Sequence, residues 1–385
     1  MYFLNFLRRH RKKLLDNPAH HLLRIEISRA ALEHNINQFK TIFGGQRIGA
    51  VLKSNAYGHG LALMGRFFDT QKDIEILLVD SIIEAQTLRD FGVKKHIIIL
   101  GYVPIHIIKS LKKIRNITLV INGEQQAQWI AQHVSFPLRV HIKIDTGMNR
   151  QGIDATHFIR VAKLLASNAH VRVEGLLSHL ADADNQESGY DTQVQIEKWN
   201  DAVDLYKKFF PKGIFHFSAT AGTKYIHSGQ SNLIRAGIGL YGFDTTADKR
   251  LRVMRALSLW AKIINIKNVA AGEGIGYNFT FRAKKQMKIA TLPCGYYEGI
   301  PRCLTNKGFA YFHNIPLPIV GRVSMNLTTV DISNVAKQLS LEDEVEIFSD
   351  IPEQLNTIDK VAHYCGTIPY EILVRLAPTI RRTLV

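Results

Sequence analysis

Apolar residues in the first two thirds of the chain come in short runs at a regular spacing. Strand-like stretches at 48–53, 74–79, 97–100, 117–121, 138–144, 172–178, 214–218 and 232–238 alternate with segments of helical period. Eight strand and helix units predict right-handed parallel crossovers and a closed sheet with no edge to protect, a (β/α)8 TIM-like barrel. Such a barrel gathers its functional residues at the C-terminal ends of its strands. Past about residue 253 the pattern shortens to strand pieces separated by turns, as in LWAKIINIKNV, MKIATLPCGYY and LPIVGRVSMNLTTVDI, which predicts a mostly antiparallel β-domain. The expected organisation is a basic N-terminal extension over 1–21, a barrel over 22–252 and a C-terminal β-domain over 253–385. Within RIEISRAALEHNINQF the pattern predicts a strand, then a helix with Ser28 as its N-cap.

Composition is consistent with this picture. At 385 residues and 46% hydrophobic content the chain can bury two cores. A formal net charge of +16 raises nucleic acid as a partner, but the basic residues are dispersed apart from Arg8, Arg9, Arg11, Lys12 and Lys13, so none is expected. In that N-terminal cluster apolar residues precede the charges, the reverse of a secretory signal, and the segment reads as a loose end. No apolar run is long enough for a membrane helix, so integral membrane association is not expected. Three cysteines, Cys294, Cys303 and Cys365, are too few for a disulfide framework and lack metal-ligand spacing. A reducing cytoplasm and no metal are the corresponding expectations.

The residue of oddest chemistry is Lys53, at the C-terminal edge of the apolar run beginning at Ile48. Burying an ammonium is expensive unless it sheds its proton, and a neutral amine is a nucleophile suited to the aldehyde of a cofactor such as pyridoxal phosphate. For the single residue, a lysine snorkelling to the surface at a strand end is the favoured reading. The whole stretch decides between them: Ala50-Val51-Leu52-Lys53-Ser54-Asn55-Ala56-Tyr57-Gly58-His59-Gly60 resembles AVVKANAYGHG, the cofactor-lysine motif of alanine racemases.

Further motifs continue that resemblance, in order, from about Leu22 to the C-terminus. Lys143-Ile144-Asp145-Thr146-Gly147-Met148-Asn149-Arg150 is similar to KxDTGMxRxG, which implies that Arg150 contacts cofactor and substrate carboxylate; in several relatives the lysine matching Lys143 is carbamylated. His216 to Ala221 resembles HxANSA, with Thr220 where the family has a phosphate-binding serine. Arg235 to Gly242 resembles RxGIxLYG. It implies a phosphate cradle at Gly237 and Ile238 and an arginine, Arg235, facing the pyridine nitrogen, where it favours simple proton removal and return. Gly274 to Phe281 resembles the catalytic-tyrosine segment. By that resemblance Tyr277 is a second base opposite Lys53, supported through His179 and Arg235 and supplied by the other subunit of a homodimer.

Around the substrate, the resemblance implies roles for Tyr296 and Met325, with Arg302, Arg322 and Asp184 along the access channel, and for Tyr370 beside Tyr57 on the phosphate. Asn326 stands where the family motif GRVxMD carries aspartate. The resemblance thus implies a pyridoxal 5'-phosphate-dependent isomerase interconverting L- and D-alanine for peptidoglycan. A serine or broad-specificity racemase, or a non-catalytic pyridoxal-phosphate-binding barrel, are the alternatives. The last lacks a C-terminal β-domain and a residue equivalent to Tyr277.

Overall fold

The computed structural model describes residues 21–185, 189–335 and 337–385; the N-terminal extension, apart from His21, lies outside them. The chain divides into two units, Ala30–Arg255 and a second formed by Ala256–Val385 together with the described residues 21–29. The first strand, β1 (Leu23–Ile27), therefore does not open the barrel as the 22–252 span anticipates. It pairs in the second unit, antiparallel to β11 (Leu257–Lys262) and parallel to β20 (Arg381–Leu384), at the far end of the chain. Strand periodicity marks β1 as a strand; it cannot say which sheet receives it.

In the first unit the parallel strands are β2 (Arg47–Val51), β3 (Ile74–Val79), β4 (His96–Ile99), β5 (Ile117–Ile121), β6 (Leu138–Asp145), β8 (Val171–Leu177), β9 (Ile214–His216) and β10 (Leu233–Ala236). They are ordered β10-β2-β3-β4-β5-β6-β8-β9, and a two-residue strand, β7 (Ile153–Asp154), lies against β6. A bridge between Ala219 and Arg235, with the Arg235 amide donating to the Ser218 carbonyl at 3.1 Å, brings β9 and β10 together and closes the ring. All eight lie at the expected places, because strands buried on both faces read as unbroken apolar runs; every residue of β5 is buried.

Helices between the strands follow local rules. Helix Ile82–Asp90 opens with a capping box: the Ser81 hydroxyl accepts from the Glu84 amide, and the Glu84 carboxylate accepts from the Ser81 amide. The long helix Gly189–Phe209 turns Ile196, Trp199, Val203 and Tyr206 inward, a stripe of helical spacing, all fully buried.

The second unit is built on a six-stranded sheet ordered β17-β16-β19-β11-β1-β20, where β16 is Phe309–Phe312, β17 Ile315–Pro318 and β19 Glu344–Phe348. A three-stranded sheet places β15 (Met287–Leu292) between β12 (Asn265–Val269) and β18 (Thr328–Asp331), and β13 (Gly274–Ile275) pairs with β14 (Phe281–Arg282). Arg24 on β1 grips Glu344 with two parallel bonds of 2.9 and 2.7 Å while lying 5.1 Å above the Trp260 ring, which fixes three strands in register. Cys303 and Cys365 form a disulfide with Cα atoms 5.6 Å apart, closing 62 residues, and Cys294 is free and buried. Cysteine count gave no sign of this pairing, since it joins a turn to a helix end that are distant in sequence. Among the described residues no helix is long and apolar enough to cross a membrane, and no cluster of side chains could hold a metal ion.

Candidate active site

Lys53 follows β2 directly and stands half-buried at its C-terminal end. The next four residues, Ser54, Asn55, Ala56 and Tyr57, all take left-handed backbone, with φ of 57, 56, 53 and 51°. For residues with a Cβ this costs about 1 kcal/mol or more each, so the surroundings must hold the turn. They do so with hydrogen bonds. The Glu84 carboxylate accepts from the Ser54 amide at 2.7 Å, and the Asn55 side chain accepts from the Leu61 amide at 2.8 Å. The turn places Tyr57, itself buried, 5.4 Å from the ring of Tyr241, whose hydroxyl donates to the Val51 carbonyl.

At the ends of β9 and β10 a side-chain hydroxyl meets a tight glycine-containing turn. The buried Thr220 hydroxyl is 3.3 Å from each of the amides of Gly237 and Gly239, and Ile238 begins a turn over 238–241. A Cβ on Gly237 would stand 2.6 Å from the Tyr57 hydroxyl, so the backbone there is open only because the residue is glycine.

Arg235 is the electrostatic centre. It is 4% exposed and donates to the carbonyls of Ser178, Phe217 and His216 and to the Nδ1 atoms of His216 (3.1 Å) and His179 (2.9 Å). No carboxylate is among these partners. Burial pushes its pKa down to about 10, which still leaves it charged at neutral pH. Because it donates to Nδ1 of His179, that ring carries its proton on Nε2. Burial, then the positive charges of Arg235 and Arg150, hold His179 down to about 3, so it is neutral.

Behind Arg235, His216 passes the pattern on. Its Nδ1 accepts, so its Nε2 donates to Nδ1 of the fully buried His141 at 2.8 Å. This histidine pair escaped the sequence reading, although His141 and Lys143 alternate along β6 and so share its inner face. Lys143 is 8% exposed and donates to Gln151 at 3.2 Å; burial and then Arg150 and Arg235 push its amine down to about 8. Arg150 is exposed just beyond β6.

The second unit holds the remaining anticipated residues. Tyr277 follows Gly276, whose φ is 70°, and is 69% exposed. It lines a cleft of about 340 Å³ with Tyr296, Arg302, Arg322, Ser324 and Met325. Four of the residues expected around the substrate and its channel therefore meet here, whereas Asp184, also exposed, belongs to the barrel unit. The Asn326 amide donates to the Glu298 carboxylate at 2.8 Å. An ionised aspartate at 326 could only repel that group, a local reason for the amide. Tyr370 is half-buried on the helix Pro369–Val374.

A lysine amine, a buried arginine, a neutral histidine and a hydroxyl that gathers two backbone amides, all at the C-terminal ends of parallel strands, are the arrangement expected of an enzyme of the parallel-barrel class. Residues 27–245 match the family model described as "Alanine racemase, N-terminal domain" and 256–384 match "Alanine racemase, C-terminal domain". An alanine racemase of Syntrophobacter fumaroxidans is 33% identical over 353 residues, covering 90% of this chain and 93% of that one. One of Methanococcus maripaludis is 32% identical, covering 94% and 98%. The crystal structure of the Bacillus anthracis alanine racemase with bound L-Ala-P superposes with a TM-score of 0.86 at 28% identity, covering 96% of each chain. The chain belongs to the alanine racemase family and is an isomerase of that kind.

Proposed function

We propose that the chain interconverts L-alanine and D-alanine with pyridoxal 5'-phosphate, Lys53 and Tyr277 exchanging protons with opposite faces of the substrate. The observation that carries this reading is Arg235, a buried cation with no carboxylate among its partners, bonded to the neutral His179. The residues present fit the cofactor. The opening at Gly237, which a Cβ would fill, and the Thr220 hydroxyl suit a phosphate, with Ile238 and Tyr57 beside them. Tyr370 would join that phosphate group. Lys53 suits the aldehyde, and Arg150 suits the phenolic oxygen and the substrate carboxylate. When bound, the cofactor supplies an electron-withdrawing group that acidifies the substrate α-hydrogen.

The chain's own residues do the rest. Arg235 remains a cation with no acidic proton to give at neutral pH, so it would not protonate a cofactor ring held beside it, and that would favour simple proton removal and return. From L-alanine, the Tyr277 phenolate takes the α-proton and the Lys53 ammonium returns one to the opposite face; from D-alanine the roles reverse. His179 carries its proton on Nε2 and can donate it in a hydrogen bond to that phenolate, which favours the charged form. Tyr296 and Met325 would flank the substrate. Tyr277 is 69%, Phe279 60% and Tyr297 61% exposed, apolar surface that suits a second copy of the chain supplying Tyr277 to its partner's barrel. The division into a barrel and a tyrosine-bearing β-domain, a cytoplasmic location and a product destined for peptidoglycan complete the reading.

A chiral assay of purified protein with L-alanine, L-serine and L-lysine in parallel tests it. D-alanine should form fastest, with the reaction stopping at an equal mixture of enantiomers. A higher kcat/KM for serine or lysine would replace alanine as the substrate, and no epimerisation of any of the three would remove the racemase reading.

A further inference from the structure

A second cleft, of about 640 Å³, opens in the barrel unit at the N-terminal ends of β5, β6 and β8, the end opposite the catalytic groups. Its polar lining is basic: Lys112, Arg115, Arg139 and Arg172, with His170 between them and no carboxylate among the described residues that line it. The floor is apolar and buried, formed by Ile114, Ile117, Phe136 and Leu138. Of the acids nearby, Glu174 serves two guanidinium groups, Arg172 at 3.2 Å and Arg139 at 4.0 Å, and Asp69 is taken up by the amides of Lys94 and Lys95 at 3.0 and 2.7 Å. Positive charge therefore exceeds negative charge in a concave site.

The wall is also held in place before any ligand arrives. Arg89 donates to the carbonyls of Val93, Lys95, Arg115 and Asn116 at 2.8–2.9 Å. Asn116 takes a left-handed φ of 54°, donates to the Lys94 carbonyl at 3.0 Å and accepts from Arg139 at 2.8 Å. The Arg139 fork is thus fixed on one side by a neutral amide, and the single Glu174 carboxylate it shares with Arg172 leaves the pair with one net positive charge for an incoming anion. The crowding of cations registers on a neighbour: burial, then Arg139 and Arg89, push the His96 imidazole down to about 4. None of these residues takes part in the chemistry above.

We propose that this cleft binds a nucleotide-sized organic phosphate. The guanidinium groups of Arg115, Arg139 and Arg172 take the phosphate oxygens, and a flat ring lies on the apolar floor. Guanidinium forks match phosphate geometry, the apolar floor suits a ring and not a bare inorganic ion, and the volume falls in the range of small-molecule sites, roughly 300–1,000 Å³.

The test uses the cofactor-loaded protein titrated with magnesium-free ADP by calorimetry, with racemisation and thermal unfolding followed beside it. One ADP should bind per chain, and adenosine should bind at least about tenfold more weakly. An Arg115→Ser/Arg172→Ser double variant should lose about tenfold or more in ADP affinity with unchanged melting temperature and racemisation; the control Lys284→Ser/Lys285→Ser, which removes two exposed lysines between β14 and β15 of the other unit, should leave binding intact. The absence of saturable ADP binding, or equal affinity in the arginine variant, would overturn the assignment. So would a single-stranded oligonucleotide that binds the same arginines more tightly than ADP at equal salt, since the surface would then be a nucleic-acid site.

Discussion

The two units hold their functional groups in opposite ways. In the barrel, Arg235 is 4% exposed and its guanidinium is tied to two histidines and three carbonyls, with His141 behind them. In the β unit, Tyr277 is 69% exposed on a short turn and Met325 is 56% exposed. The barrel thus fixes charge and tautomer in advance, where low dielectric strengthens each contact. The β unit instead presents its groups on an exposed surface, where the reading proposed above has a second copy of the chain cover them. Preorganised and completed-on-contact halves should respond differently to the same kinds of perturbation.

The largest expected effect separates the two groups proposed to exchange protons. Lys53→Ala should lower racemisation by at least about 10²–10⁴-fold, the usual span for losing an acid-base group. Tyr277→Phe keeps the ring, so stability should not change, while α-deuterium exchange should fall far more steeply from L-alanine than from D-alanine. Equal residual exchange from both enantiomers, with cofactor occupancy checked, would leave Tyr277 as a packing residue. Mixed Lys53→Ala and Tyr277→Phe subunits should regain activity if one intact site can form per pair. No recovery in verified mixed dimers would refute sharing between chains.

A pH series should split the units next. In the barrel, His96 lies at about 4 and His141 and His179 at about 3, each lowered by burial first, against an ordinary value of 6.5. Groups depressed on folding give stability that is full above 6.5 and is lost as pH falls toward 4 and 3. Glu346 in the β unit behaves oppositely: burial raises its carboxyl to about 7, so its contribution is full below 4.5 and is lost as pH rises through 7. Single-tryptophan variants retaining Trp199 for the barrel or Trp260 for the β unit, unfolded in urea between pH 5 and 8, should show opposite trends. Midpoints that move together would mean that other groups dominate.

The smallest effect concerns the covalent link. Reducing the Cys303–Cys365 disulfide should destabilise only the β unit, by about 2–4 kcal/mol for a loop of this size. The Trp260 signal should shift in urea while the Trp199 signal stays in place. A shift of both would show that the units unfold as one.

Local pattern made the barrel legible in the sequence. Strands buried on both faces, such as Ile117–Ile121, are continuous apolar runs, and Lys53, Arg150, His179 and Arg235 follow or end such runs at positions where a barrel gathers chemistry. Glycine at 237 likewise carries its reason in its own identity, the missing Cβ. What only the tertiary structure decided are pairings between residues far apart along the chain: β1 with β20, Cys303 with Cys365, Asn326 with Glu298, and His141 through His216 to Arg235. A strand's period states that it needs a partner and not which one, and an imidazole's tautomer is set by whichever donor folding brings to it. Sequence by itself therefore determined the elements and the chemical groups at their ends. Packing across the chain decided which sheet took the first strand, which histidine nitrogens hold protons and which cations were left without an anion.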